Sequence, residues 1–238
     1  MKVKFLLAFL LMSFIANQSY IQSQTLNYQE IFGEDWKNAE EFLRINEPWI
    51  KVSLEKYNIN YQEAISIIFP ELVRYSALLD KMEITLLKAL YINLGKKYAN
   101  FSIGRFQMKP SFAEQIRKEA PGIMGRRSHK LVRDSVDFEN ERSFRASVVD
   151  DLEDTRTELN YLILFIKICE KRFELRKMTT DERIKFLATA YNYGFFNSLD
   201  DIEKMTEKKF FNTKIISSDK YSYADISLYW YCNNLPAR

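Results

Sequence analysis

The chain has 238 residues, 47% of them apolar, and a formal charge of +3. That length allows one domain or at most two, and the apolar share supports a sizeable core and excludes wholesale disorder. Only 6 Gly and 5 Pro are present, which disfavours a turn-rich sandwich or barrel and leaves helical periodicity as the dominant pattern.

Residues 1–24 read as a secretory leader. Lys2 and Lys4 form a basic start, Phe5 to Ala16 is an apolar run, and Asn17 to Gln24 is polar. The run of 12 residues falls short of the roughly 20 needed to span a bilayer, so no stable membrane span is expected once it is removed. An uncleaved anchor or exposed helix is the alternative. Export to the periplasm or outside the cell follows, with residues 25–238 as a single domain. Loss of Lys2 and Lys4 lowers the charge from +3 to +1. A near-neutral domain is a poor nucleic-acid binder, because phosphate neutralisation needs a clustered basic excess.

Leu26 to Tyr57 is helical with interruptions, anchored by Trp36, Phe42, Leu43, Trp49 and Ile50, and Pro48 is expected to start a fresh segment. Asn60 to Phe69 is an apolar helix that Pro70 should end or kink. Glu71 follows among aliphatic neighbours. Loss of solvation there would raise its pKa toward what a general acid needs at neutral pH. The plainer alternative pairs Glu71 with Arg74 on a solvated face. Leu78 to Leu94 is a further helix, closed by Gly95 and containing Glu83.

Asn100 to Phe112 reads NFSIGRFQMKPSF. Gly104 permits a positive φ and close approach of a ligand, Gln107 both donates and accepts hydrogen bonds, and Pro110 suits the first turn of a helix. A solvated connection is the alternative. Ser111 and Glu114 are spaced as a capping box, and Pro121 with Gly122 should stop the helix. Gly122 to Glu141 is polar, and its basic group of Arg126, Arg127, His129, Lys130 and Arg133 reads as a solvated loop.

From Phe144 to Phe173 the apolar positions step alternately by 4 and 3, predicting one long core helix whose Asp150, Asp151, Glu153 and Asp154 form a solvated face. Thr179 and Glu182 make a capping box for a helix that Gly194 ends. Ala190–Tyr191–Asn192–Tyr193–Gly194 closes it, offering amide and flat aromatic faces suited to a sugar, or ordinary core packing. Leu199 to Leu235 reads as two short amphipathic helices. Cys169 and Cys232 either pair or remain as two buried thiols. With one His and no ligand cluster, neither a metal nor another cofactor is expected.

Three pieces in order resemble the lysozyme-like lytic transglycosylase family, the SLT-type domain: AISIIFPE ending at Glu71, the Gly104–Arg105–Phe106–Gln107–Met108–Lys109–Pro110 loop, and Ala190 to Gly194. The resemblance spans about residues 60–195. It implies a mainly α, lysozyme-like domain with a substrate cleft and extra terminal helices. It also implies cleavage of the MurNAc–GlcNAc β-1,4 bond of peptidoglycan strands by a single Glu, with a 1,6-anhydro product. A lysozyme-type hydrolase and a non-catalytic glycan-binding or envelope assembly protein are the alternatives. Glu71 would be catalytic; Ser102, Gly104, Phe106, Gln107, Tyr191 and Asn192 would bind substrate. The chain departs from the family pattern at Leu72, where Ser is usual, and at Arg105, where an apolar residue is usual. Gly104 also lies 33 residues past Glu71, a longer gap than usual, and the insertion contains the rival Glu83.

Overall fold

A computed structural model describes residues 26–77, 81–132, 140–212 and 219–235, without the side chains of 76, 77 and 81–83. The expected leader lies outside them. Contacts separate a leading unit that ends at Ile31 from a main unit that begins at Phe32. Apart from a short helical turn, α1 (Tyr28–Phe32), the elements below belong to the main unit.

The protein is mainly helical, with ten α-helices and one two-stranded antiparallel sheet among the described residues. α2 (Glu34–Glu55) continues through Pro48 rather than restarting there. Pro48 is exposed, so water can satisfy the carbonyl its ring leaves unbonded, while Leu43, Ile50 and Leu54 hold the buried face.

α3 (Tyr61–Ala77) is the central helix, opened by the Asn60 side chain accepting the Glu63 amide at 3.0 Å. It too runs through a proline, Pro70, so Glu71 lies within the helix and not at its end. An internal Pro costs about 3 kcal/mol. Burial offsets that cost: Ile65, Ile68, Phe69, Leu72 and Val73 are all sealed, with Phe69 against the rings of Trp36 and Trp230.

α4 (Lys81–Leu94) ends at Gly95, whose φ of 84° and amide bond to the Tyr91 carbonyl make the expected stop. α5 (Pro110–Met124) begins one residue before the expected capping box, so Ser111 is inside the helix and its amide bonds the Asn100 side chain instead. Glu114 is turned to Tyr91 and Lys96. The helix passes Pro121 and Gly122 and gives way at Gly125 to a 3-10 segment (Gly125–Lys130). Of the basic group, Arg133 lies outside the described residues.

The long element is two helices. Asp154 leaves the helical region and caps α7 (Thr155–Arg172) by accepting the amides of Arg156 and Thr157, which ends α6 (Glu141–Glu153). The acidic face is therefore partly structural. Asp151 accepts from Arg117 at 2.6 Å, and that buried guanidinium also donates to Tyr161 and Ser147, tying α5, α6 and α7 together.

α8 (Thr180–Tyr193) has the expected Thr179–Glu182 capping box and the expected stop at Gly194. A short hairpin, β1 (Lys209–Phe211) with β2 (Tyr221–Ser222), separates α9 (Leu199–Met205) from α10 (Tyr223–Asn233). Three- and two-residue strands carry too little alternation to be read from sequence. Cys169 is buried, Cys232 is exposed, and both are free thiols, so neither alternative holds in full: they do not pair, and only one thiol is buried. No helix among the described residues is long and apolar enough to cross a membrane.

Candidate active site

The loop between α4 and α5 closes as a miniature hairpin. Ile103 and Met108 exchange both backbone hydrogen bonds, at 2.9 and 3.0 Å. Two residues inside it have positive φ, Gly104 at 75° and Gln107 at 51°. At Gly104 the requirement is absolute: a Cβ there would overlap the Leu152 carbonyl oxygen and the Glu158 carboxylate.

Glu158, on α7, is fully buried beneath this loop and accepts the amides of Arg105 and Phe106, both at 2.9 Å. Burial pushes its carboxyl well above the usual carboxylate range, against the pull of those two amides and of Arg105. Glu158 is absent from the sequence reading. Its spacing from Asp151, Thr155 and Leu162, at 4- and 3-residue steps, was the available signal: it places the carboxylate beside the apolar stripe.

Arg105 turns its side chain outward from this carboxylate. Its guanidinium lies 4.1 Å from the Tyr75 ring centre and 4.9 Å from that of Phe42. The departure from an apolar residue at this position thus fastens the loop to α2 and α3. Phe106 is fully buried, and its carbonyl accepts the Tyr191 hydroxyl at 2.7 Å. Gly104 and Phe106 therefore shape the loop and are not among the residues lining the cleft described next.

Five of the seven expected site residues do meet. Glu71, Ser102, Gln107, Tyr191 and Asn192 line one cleft of about 270 Å³. Gln107 folds its amide nitrogen back onto the Gly104 carbonyl at 2.8 Å and keeps its side-chain oxygen free of any partner among the described residues. Ser102 and the Asn192 amide also lack protein partners there. Tyr191 is held by the Phe106 carbonyl on one side and by the rings of Phe112 and Phe165 on the other. Tyr193 and Phe196, 43% and 55% exposed, add flat apolar faces to the lining.

Glu71 is 3% exposed, and Arg74 donates to both of its oxygens, at 3.0 and 3.1 Å. Glu71 is therefore both withdrawn from water and paired with Arg74, whose own side chain is half-buried. Burial raises the Glu71 carboxyl above its ordinary pKa, opposed by Arg74 and Lys109. Glu71 is the one carboxylate in the lining among the described residues. The rival Glu83 lies in α4, and its side chain is outside the described residues.

A larger cavity of about 560 Å³ lies between α3, α7 and α8; four of its charged residues are paired with one another, Arg183 with Glu63 and Lys167 with Glu170. Neither its chemistry nor its residues match the expected site. Among the described residues no cluster of three His, Cys, Asp or Glu could hold a metal ion. Compared with protein-family models, curated proteins and solved structures, the chain matches none.

Proposed function

We propose that the protein is a lytic transglycosylase of lysozyme-like fold, exported behind its leader and acting on the glycan strands of peptidoglycan. One observation carries this reading: a single buried carboxyl opens onto a polar, aromatic-flanked cleft that holds no second acid among the described residues. Two-carboxylate hydrolysis needs a partner at about 5–9.5 Å, either a nucleophile or a base for water. A substrate that carries its own acetamide needs only one acid.

Glu71 gives its proton to the glycosidic oxygen between N-acetylmuramic acid and N-acetylglucosamine, and the C1–O bond breaks. The acetamide oxygen of the muramic acid shields C1 from its own ring face. Glu71, now ionised, takes the proton of the C6 hydroxyl, and O6 closes onto C1 as a 1,6-anhydro ring. Gln107, Ser102 and Asn192 supply hydrogen bonds to hydroxyls and acetamides, and Tyr193 and Phe196 supply stacking faces. Should water take the place of O6, the outcome is a lysozyme-type hydrolase.

A second reading is favoured by Arg74. Its two hydrogen bonds work against the rise that burial causes and favour the charged carboxylate, which suits a glycan-binding protein without catalysis. Digestion of purified sacculi separates the readings. The transglycosylase releases anhydro-muropeptides lighter by one water than the products of hydrolysis, and Glu71→Gln abolishes release while the melting curve is kept. Sacculi that are bound but never cut overturn the enzyme in favour of the binding protein.

A further inference from the structure

Arg74 is the one cation in ion-pair contact with Glu71 among the described residues, and it lines the same cleft. We propose that Arg74 is a specificity-determining residue: a carboxylate carried by the glycan strand draws its guanidinium off Glu71, so that the protein cuts an anionic glycan and spares a neutral one. The inference rests on the glycan reading of the cleft.

The closed pair opposes proton donation. Arg74 donates from Nη1 to both Glu71 oxygens, at 3.1 and 3.0 Å. An acid about to protonate a glycosidic oxygen must turn an O–H toward the substrate, and these two bonds favour the ionised form instead. No other group is placed to take over from Arg74. Tyr191 on α8 and Tyr223 on α10 face Glu71, but their hydroxyls donate to the carbonyls of Phe106 and Ile67, at 2.7 and 2.9 Å. Lys109, in the loop before α5, acts on Glu71 through its charge alone. Once Arg74 withdraws, burial favours a protonated Glu71, which takes its proton from water.

Arg74 is also the accessible member of the pair. Its side chain is 22% exposed, against 4% for that of Glu71. Its guanidinium rests 4.5 Å from the centre of the Phe211 ring on β1, a face that attracts the cation without fixing it by a hydrogen bond. Lifting the guanidinium off a buried carboxylate leaves it uncompensated, which is costly unless another anion takes the vacated place. The cleft lining supplies no second carboxylate among the described residues, so the replacement comes from the ligand. Neutral hydroxyls and acetamides do not offset that loss. A carboxylate does, because it accepts charge-assisted hydrogen bonds from the same guanidinium.

The test gives the full chain two matched probes. One is glycan strands stripped of peptide by an amidase, with a free lactyl carboxylate on each muramic acid; the other is the same strands with those carboxylates converted to methylamides. Wild type should cut the anionic strands about tenfold to hundredfold faster in kcat/KM, the worth of a charge-assisted hydrogen bond. Arg74→Gln should erase the preference from both sides, slowing the anionic strands and speeding the neutral ones. Its alkaline limb on the neutral strands should move to higher pH, since the group favouring ionised Glu71 is gone. Arg74→Lys, which keeps the charge, should keep part of the preference. Peptide-bearing strands, whose lactyl groups are already amides, locate the carboxylate: rapid cutting places it on the peptide, slow cutting on the lactyl group. The wild-type comparison decides even where a variant fails to fold. Equal cutting of the two matched probes by wild type, or a folded Arg74→Gln that keeps the preference, overturns the role of Arg74 and leaves the glycan reading intact. Cutting of no probe overturns both.

Discussion

Glu71 and Glu158 are two carboxyl groups buried to nearly the same degree, both with a pKa raised by loss of water, Glu158 the more strongly, yet they occupy opposite situations. Glu158 is sealed beneath Gly104 and spends its oxygens on two backbone amides. Glu71 is held from one side by a single cation, Arg74, and lines an open cleft. Burial alone does not separate a structural acid from a chemical one. What separates them is whether a ligand can reach the group, and whether its partners are fixed backbone or a movable side chain.

The largest expected effect belongs to the accessible member. Glu71→Gln should reduce cleavage of sacculi by about 10²–10⁴-fold, the range for losing a general acid, with the melting temperature nearly unchanged. Next comes the lid over the sealed member. Gly104→Ala adds a methyl where backbone and carboxylate already stand and forces it to positive φ, so stability should fall by about 3 kcal/mol. For a chain of this size that corresponds to about 6–12 °C in thermal denaturation. Glu158→Gln keeps the volume but can accept well from only one of the two amides. It should cost about 1–3 kcal/mol and reduce cleavage through the displaced loop, while denaturant unfolding stays cooperative.

The pH dependence of the two groups sharpens the contrast. A carboxyl whose pKa is raised on folding makes the native state bind more protons than the unfolded one. The associated stability is complete below the unfolded pKa and is lost as pH rises through the folded pKa. Unfolding free energy should therefore decline with rising pH above the ordinary carboxylate range, and the decline should be shallower in Glu158→Gln. Cleavage should also fall as pH rises, because Glu71 must carry its proton. The smallest effect is at Lys109, exposed and acting only through its charge. Lys109→Gln should move that alkaline limb to higher pH without changing the melting temperature.

Much of the site was legible because its parts are local. The Gly104 turn, the Thr179–Glu182 cap and the Gly194 stop each depend on residues within a few positions of one another, and each forms as its neighbours dictate. That Glu71, Gln107 and Tyr191 share a cleft was expected from the family resemblance alone, since no local pattern announces it. Glu158 and Arg117 were not legible. Their partners lie 52 and 53 residues away in one case and 30 to 44 in the other, so nothing adjacent announces that a charge at that position will be buried and satisfied.

By itself the sequence determined the capping box at Thr179, the stops at Gly95 and Gly194, the left-handed turn at Gly104, and that the domain would be mainly helical. Tertiary structure decided how far the helices run. Pro48 and Pro70 mark stops in any isolated peptide, yet α2 and α3 pass through both, because burying an apolar face along 17 or 22 residues outweighs one missing hydrogen bond. It also decided that Asp154 would divide one apolar stripe into two helices, and that Glu71 would face a cleft while Glu158 lies sealed. Those outcomes depend on which surfaces meet, and only packing brings them together.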